Sequence, residues 1–247
     1  RSRLVMVYVP HMHLLARASG RTAATITLLM FFGISASQKP ARAFQEAAVV
    51  DVEHRYRVLE RSVYPRSIVV GRKLVPDELV RDPDRGRTFR SHLDVLIEDS
   101  TEGGCVCRFR VHAPDMDVEP TARKVGLFLG ILWGMADQRF GRLNSRLRSG
   151  PLDVWMCRDA GPESAQQSRR NLYILDALGD RTGIEWARTL AHEFGHFILP
   201  GPSGYKEPES WANGVFGERL FLSWLRDDVV AGKVETSLLP FVTRSSL

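Results

Sequence analysis

The residues whose types and spacing could do chemistry are His192, Glu193 and His196, in the run His192-Glu193-Phe194-Gly195-His196. Four residues of α-helix advance about 6 Å along the axis and nearly complete a turn, so two imidazoles at that spacing share a face and can grip one metal ion. Glu193 stands one position round, where its carboxylate can hold a water molecule and take its proton. Two histidine ligands, an adjacent acid and an open position are what a zinc hydrolase needs. One zinc ion per chain is the cofactor this spacing implies.

The motif has meaning only on a helix, and its flanks supply one. Thr182 and Glu185 form a capping-box pair at the start. Ile184, Ala187, Ala191, Phe194 and Ile198 recur at helical spacing and predict a buried stripe. Pro200-Gly201-Pro202 stops the helix about one turn after His196. Gly195 weakens a helix by roughly 1 kcal/mol relative to Ala, and a close neighbour across that face would account for it.

A catalytic zinc takes a third protein ligand. Pro208 can open a second helix, and Glu209 and Asn213, again four apart, share a face of it. Glu209 can reach the metal, and Asn213 can support a ligand from behind. Glu207 and Glu218 are rival third ligands. Glu207 falls before the helix. Glu218, nine residues past Glu209, falls on about the opposite face and reads as a supporting group.

His-Glu-x-x-His followed by Glu209-x-x-Ala212-Asn213 resembles the gluzincin metallopeptidases, whose third ligand is a glutamate on the next helix. The Glu-x-x-Ala-Asn form is most similar to the small peptidases that cleave phage repressors and radiation-response regulators. The resemblance covers residues 182–222, and the interval from His196 to Glu209 is short for gluzincins. It implies that His192, His196 and Glu209 bind zinc, that Glu193 is the general base and that the substrate is a peptide or protein. It also implies a strand bordering the cleft, for which Asn171–Asp176 is the candidate; a plain core strand is the other reading of that segment. A second donor to the developing oxyanion is usual in such sites, and Tyr205, between the two helices, is the candidate. A non-catalytic secreted binding or structural module that keeps a zinc site is the alternative function.

The N-terminus reads differently. Residues 1–43 hold Arg1, Arg3, Arg17, Arg21, Lys39 and Arg42 and no acid, around an apolar run from Ala23 to Ala36. A basic flank, a short apolar core and then small residues read as a signal peptide, with Met12 a candidate start. The run is shorter than the about 20 residues of a bilayer span; an uncleaved anchor is the rival reading. The expected destination is therefore secreted or periplasmic, in the cell envelope, with no stable membrane span once the signal is removed. The chain carries +5, from 34 basic and 29 acidic residues; without that segment, 28 basic residues face 29 acidic ones. The remaining domain has no bulk charge with which to hold nucleic acid.

Residues 44–247 are expected to form one domain, β-rich over 44–115, with the metal site in 116–247. Val49–Val52 and Ser67–Val70 read as strands, and Pro76–Arg87 as a charged loop. Alternation over 92–97 and 105–111 predicts an antiparallel hairpin, with Cys105 and Cys107 on the apolar face beside Phe109 and Val111. Cys157 could bridge one of them. Pro120 opens a core helix running to about Gly141, Asp153–Cys157 reads as a strand, and Ala160–Arg170 as a polar loop that could rim the cleft. His54, His92 and His112 lack metal spacing and read as surface or hydrogen-bonded residues. The fold class is α+β: a mixed or antiparallel sheet packed on a core helix, the His-Glu-x-x-His helix and the following helix.

Overall fold

The computed structural model describes residues 56–73, 80–89, 91–141, 148–161, 165–199 and 212–247. The architecture is α+β. Seven strands form one mixed, mostly antiparallel sheet in the order β1-β2-β5-β6-β7-β9-β8. These are β1 (Tyr56–Val63), β2 (Ser67–Lys73), β5 (Ser91–Asp99), β6 (Gly104–Ala113), β7 (Leu152–Met156), β8 (Ala165–Ser168) and β9 (Asn171–Ile174). β3 (Val80–Arg81) and β4 (Thr88–Phe89) make a separate small hairpin; β3 lies inside the segment 76–87 expected to be a charged loop, and β4 directly follows it. Three long helices lie among the described residues: α1 (Glu119–Phe140), between β6 and β7, and α2 (Gly183–Ile198) and α3 (Ala212–Val230), after β9. Among the described residues, no helix is long and apolar enough to cross a membrane. The expected signal segment, the strand at 49–52 and His54 lie outside the described residues.

α1 is the centre of the molecule. Gly126, Gly130 and Gly134, four apart, line one of its faces. A β-carbon at Gly126 would come 2.8 Å from Val95 Cγ2, and one at Gly130 would come 2.8 Å from Ile68 Cγ2. Their absence lets the helix lie close on β2 and β5. Leu93, Val95, Ile97, Phe109 and Val111 fill the sheet side of this core, and α2 packs on α1 from beyond. Trp133 of α1 meets Phe109 edge-on at 5.7 Å between ring centroids.

The hairpin of β5 and β6 forms as the alternation predicts, but with a bulge. Val95 pairs with Phe109, and the next residue, Leu96, pairs with Cys107. Arg108 is the extra residue. Because side chains alternate with period two, one inserted residue moves everything beyond it to the other face. Cys105 and Cys107 therefore do not share the face of Phe109 and Val111, contrary to expectation. Both are half-buried, and no disulfide joins the three cysteines, so Cys157 bridges neither. Burial pushes the Cys107 thiol up to about 12, with Asp94 beside it adding to the rise; such a thiol is unreactive at neutral pH.

The opposite face of the sheet carries a second apolar cluster of Phe89, Trp155, Cys157, Tyr173 and Leu175. His112 belongs here. It is fully buried, stacks on Trp155 at 3.9 Å and shares a 2.8 Å hydrogen bond with Asp153. It is a hydrogen-bonded residue, not a surface one.

Near the sheet edge, the core-strand reading of Asn171–Asp176 is the one found, and the expected polar loop changes. Asn171–Ile174 is an inner strand, paired in parallel with β7 and antiparallel with β8. The edge is β8, inside the stretch expected to be a polar loop. Ala165-Gln166-Gln167-Ser168 has no apolar alternation to announce a strand, and it is ordered by its register with β9.

Candidate metal centre

α2 begins as its sequence dictates. The Thr182 hydroxyl accepts from the Glu185 backbone N–H, and the Glu185 carboxylate accepts from the Thr182 N–H at 2.8 Å. The apolar stripe turns inward: Ala187, Leu190, Ala191 and Phe194 are fully buried. Phe194, between the two histidines in sequence, lies within 5.1 Å of Phe221 and 6.4 Å of Trp133, ring centre to ring centre. That anchor fixes the rotation of α2 and leaves His192 and His196 half-buried on its other side, their rings 5.0 Å apart.

His192, Glu193 and His196 each bring a ligand atom to within 4.8 Å of the others, and the cluster could hold a metal ion. Glu193 is 6% exposed. No other group of three such side chains at that spacing occurs among the described residues.

α3 supplies the other wall. The Cα of Gly195 faces that of Gly217; a β-carbon on Gly217 would stand 2.5 Å from it, and one on Gly195 would stand 2.7 Å from the Asn213 carbonyl. This is the close neighbour that Gly195 implies. The crossing brings three α3 residues onto the histidines. Asn213 Oδ1 lies 2.7 Å from His196 Nδ1. Glu218 Oε2 lies 3.8 Å from His192 Nδ1, while Glu218 Oε1 accepts from Arg188 Nε at 2.7 Å. Between them sits Gly214, where a β-carbon would fall 2.4 Å from His192 Nε2 and 2.6 Å from His196 Nε2. Zinc–imidazole bonds are about 2.0–2.1 Å, so a side chain at 214 would fill the space a shared ion needs.

The electrostatics agree with a ligand role for the rings. Burial pushes the His196 imidazole below its ordinary value; the bond to Asn213 opposes this and His192 adds to it. A neutral ring whose Nδ1–H is given to Asn213 presents its Nε2 lone pair to the cluster. The donor set, two imidazoles and a carboxylate, suits zinc.

Of the residues singled out in the sequence, His192, Glu193, His196 and Asn213 come together. Glu218 faces Nδ1 of His192 at 3.8 Å and is not part of the three-residue cluster. Glu209, Glu207 and Tyr205 lie outside the described residues. Sequence reasoning passed over Gly214, Gly217 and Arg188. The available signal was the pair of glycines inside an otherwise helical pattern, each costing helix stability and so marking a close approach.

No protein-family model matches the chain, and no curated protein or solved structure matches it.

Proposed function

We propose that this chain is a zinc-dependent peptidase, with His192 and His196 binding the ion through Nε2 and Glu193 acting as general base. The observation that carries the reading is the convergence of both Nε2 atoms on Gly214, with acceptors on α3 behind the rings and the Glu193 carboxylate in the same cluster. Glu209 is proposed as the third ligand and Tyr205 as the oxyanion donor, on the strength of the gluzincin resemblance.

Bound zinc would supply Lewis acidity, making a water molecule acidic near neutral pH and polarising a carbonyl oxygen. Everything else falls to the chain. The two imidazoles, on one face of α2, would hold the ion. A Glu193 carboxylate oxygen takes a proton from the nucleophilic water and returns it to the leaving amine. β8 is the edge of the sheet and packs near α2, so an extended peptide could add to it as a further strand, with its scissile bond carried toward the histidines. β8, rather than Asn171–Asp176, takes that role in the proposal. Secretion or delivery to the cell envelope completes the proposal and rests on the signal-like segment alone.

Three forms of the full chain test this: wild type and two variants. Wild-type protein and Glu193→Gln should each bind one zinc, and only the wild type should cleave peptides. Glu209→Ala should lose most of the metal. Zinc without hydrolysis in the wild type would turn the reading to a non-catalytic zinc module, and no zinc uptake in any form would end it.

A further inference from the structure

The two histidines are backed by different chemistry. His196 Nδ1 faces a neutral amide, Asn213 Oδ1, at 2.7 Å. His192 Nδ1 faces a carboxylate, Glu218 Oε2, at 3.8 Å. The other oxygen of that carboxylate is held by Arg188 Nε at 2.7 Å, and Arg188 lies on α2 one turn before His192. The Glu218 side chain is 20% exposed and that of Arg188 is 59% exposed. Arg188, Glu218 and His192 thus form a chain that runs from solvent to the cluster.

We infer that Glu218 is the positioning residue of His192, with Arg188 as the clamp that sets its reach. The inference rests on the zinc reading proposed above. A carboxylate facing Nδ1 favours the tautomer with its proton on Nδ1, which leaves Nε2 as the lone-pair nitrogen. Nε2 is the atom that approaches Gly214 together with its counterpart on His196. A carboxylate acceptor also makes the ring a stronger donor to a cation than an amide does. The clamp explains the 3.8 Å separation. Glu218 is drawn to the guanidinium, and a small turn of its side chain closes the remaining gap when a cation draws electron density from His192. Any contribution of Arg188 then passes through Glu218.

The experiment uses the full chain in five forms: wild type, Glu218→Ala, Glu218→Gln, Arg188→Ala and the Glu218→Ala/Arg188→Ala double variant. Zinc affinity is measured by competition with a chelator, and the His192 tautomer by nitrogen-15 NMR of the metal-free protein. Glu218→Ala should weaken zinc by about 10- to 100-fold and move the His192 proton from Nδ1 toward Nε2. Glu218→Gln, which keeps an acceptor oxygen, should restore the tautomer and part of the affinity. Arg188→Ala should alter affinity when Glu218 is present and leave it unchanged when Glu218 is absent, since coupled residues share their effect. A merely structural Glu218 would lower the unfolding midpoint without moving the tautomer, and that result would overturn the inference. So would wild-type zinc affinity in Glu218→Ala. Failure of the wild type to bind zinc would be a different result: it would remove the metal reading itself, and with it this one.

Discussion

At the scale of single residues, Gly214 makes the sharpest demand on the proposed centre. A methyl group there would stand 2.4 and 2.6 Å from the two Nε2 atoms, far inside van der Waals contact and in the space of the ion. Gly214→Ala should therefore fold with unchanged helix content and bind well under one zinc per chain. Circular dichroism and metal analysis on one sample check both halves. One zinc in this variant would move the ion away from the cradle between the rings. His192, Glu193 and His196 were legible because they are adjacent or four apart on one helix, and helix geometry alone puts such residues together. Asn213 was singled out by its spacing from Glu209 and by the resemblance, not by any pattern that joins it to His196. Gly214 was not legible, and Glu218 read as a supporting group without the histidine it supports. Their neighbours belong to α2, and which α3 residue meets which histidine depends on the rotation and separation of two helices, which no local pattern encodes.

Among elements, the α2–α3 contact decides whether the site exists at all. Gly195 and Gly217 face each other backbone to backbone, so α3 carries Asn213 and Glu218 within reach of the rings. Alanine at 217 would gain roughly 1 kcal/mol of helix propensity. Its β-carbon, however, would stand 2.5 Å from the Gly195 Cα and 3.2 Å from the Ala191 carbonyl. Backbone atoms cannot step aside as a flexible side chain can, so the helices must part. Overpacking of this kind costs about 1–3 kcal/mol and outweighs the propensity gain. Gly217→Ala should lower the urea midpoint and weaken zinc binding together; an unchanged midpoint would show that the crossing is looser than described. The long, periodic elements could be read in advance: the capping box placed α2 correctly, and the apolar run at Val125–Met135 placed α1. The bulge at Arg108 and the edge strand β8 could not. A bulge is one residue of mismatch between two strands, visible only when they are paired. β8 owes its extended form to β9, because its own Gln-Gln sequence favours nothing in particular.

Across the whole molecule, buried ion pairs tie distant segments to α1. Asp99, at the end of β5, bonds Arg108 Nη2 at 2.5 Å and also pairs with Arg148. Arg148 reaches on to Asp137 of α1, which meets Arg66 at 2.8 Å. Asp228 of α3 binds Tyr64 and Arg139, joining α3 to α1. Burial alone would raise the pKa of Asp99, but hydrogen bonds from Thr101 and the charges of Arg148 and Arg108 outweigh it and hold the carboxyl well below its ordinary range. Asp228 is lowered in the same way: burial opposes, and Tyr64 and Arg139 prevail. Both groups bind a proton less readily folded than unfolded. As pH falls from the ordinary carboxylate value of about 3.9 toward the lower folded values, the unfolded chain takes up more protons. The stability these groups contribute is thus complete above about pH 4 and is lost progressively below it. Glu60, which burial raises, works in the opposite sense at higher pH, so the test is a difference between two proteins. Asp99→Asn leaves Arg108, 2% exposed, without its charge partner and should cost on the order of 3 kcal/mol at pH 7. Its unfolding free energy should then fall less steeply than that of the wild type between about pH 4 and pH 2. Urea titrations at a series of pH values read both numbers. Parallel curves through the acid range would mean that Asp99 titrates as an ordinary carboxylate, and that packing on α1, not its charges, secures the turn between β5 and β6.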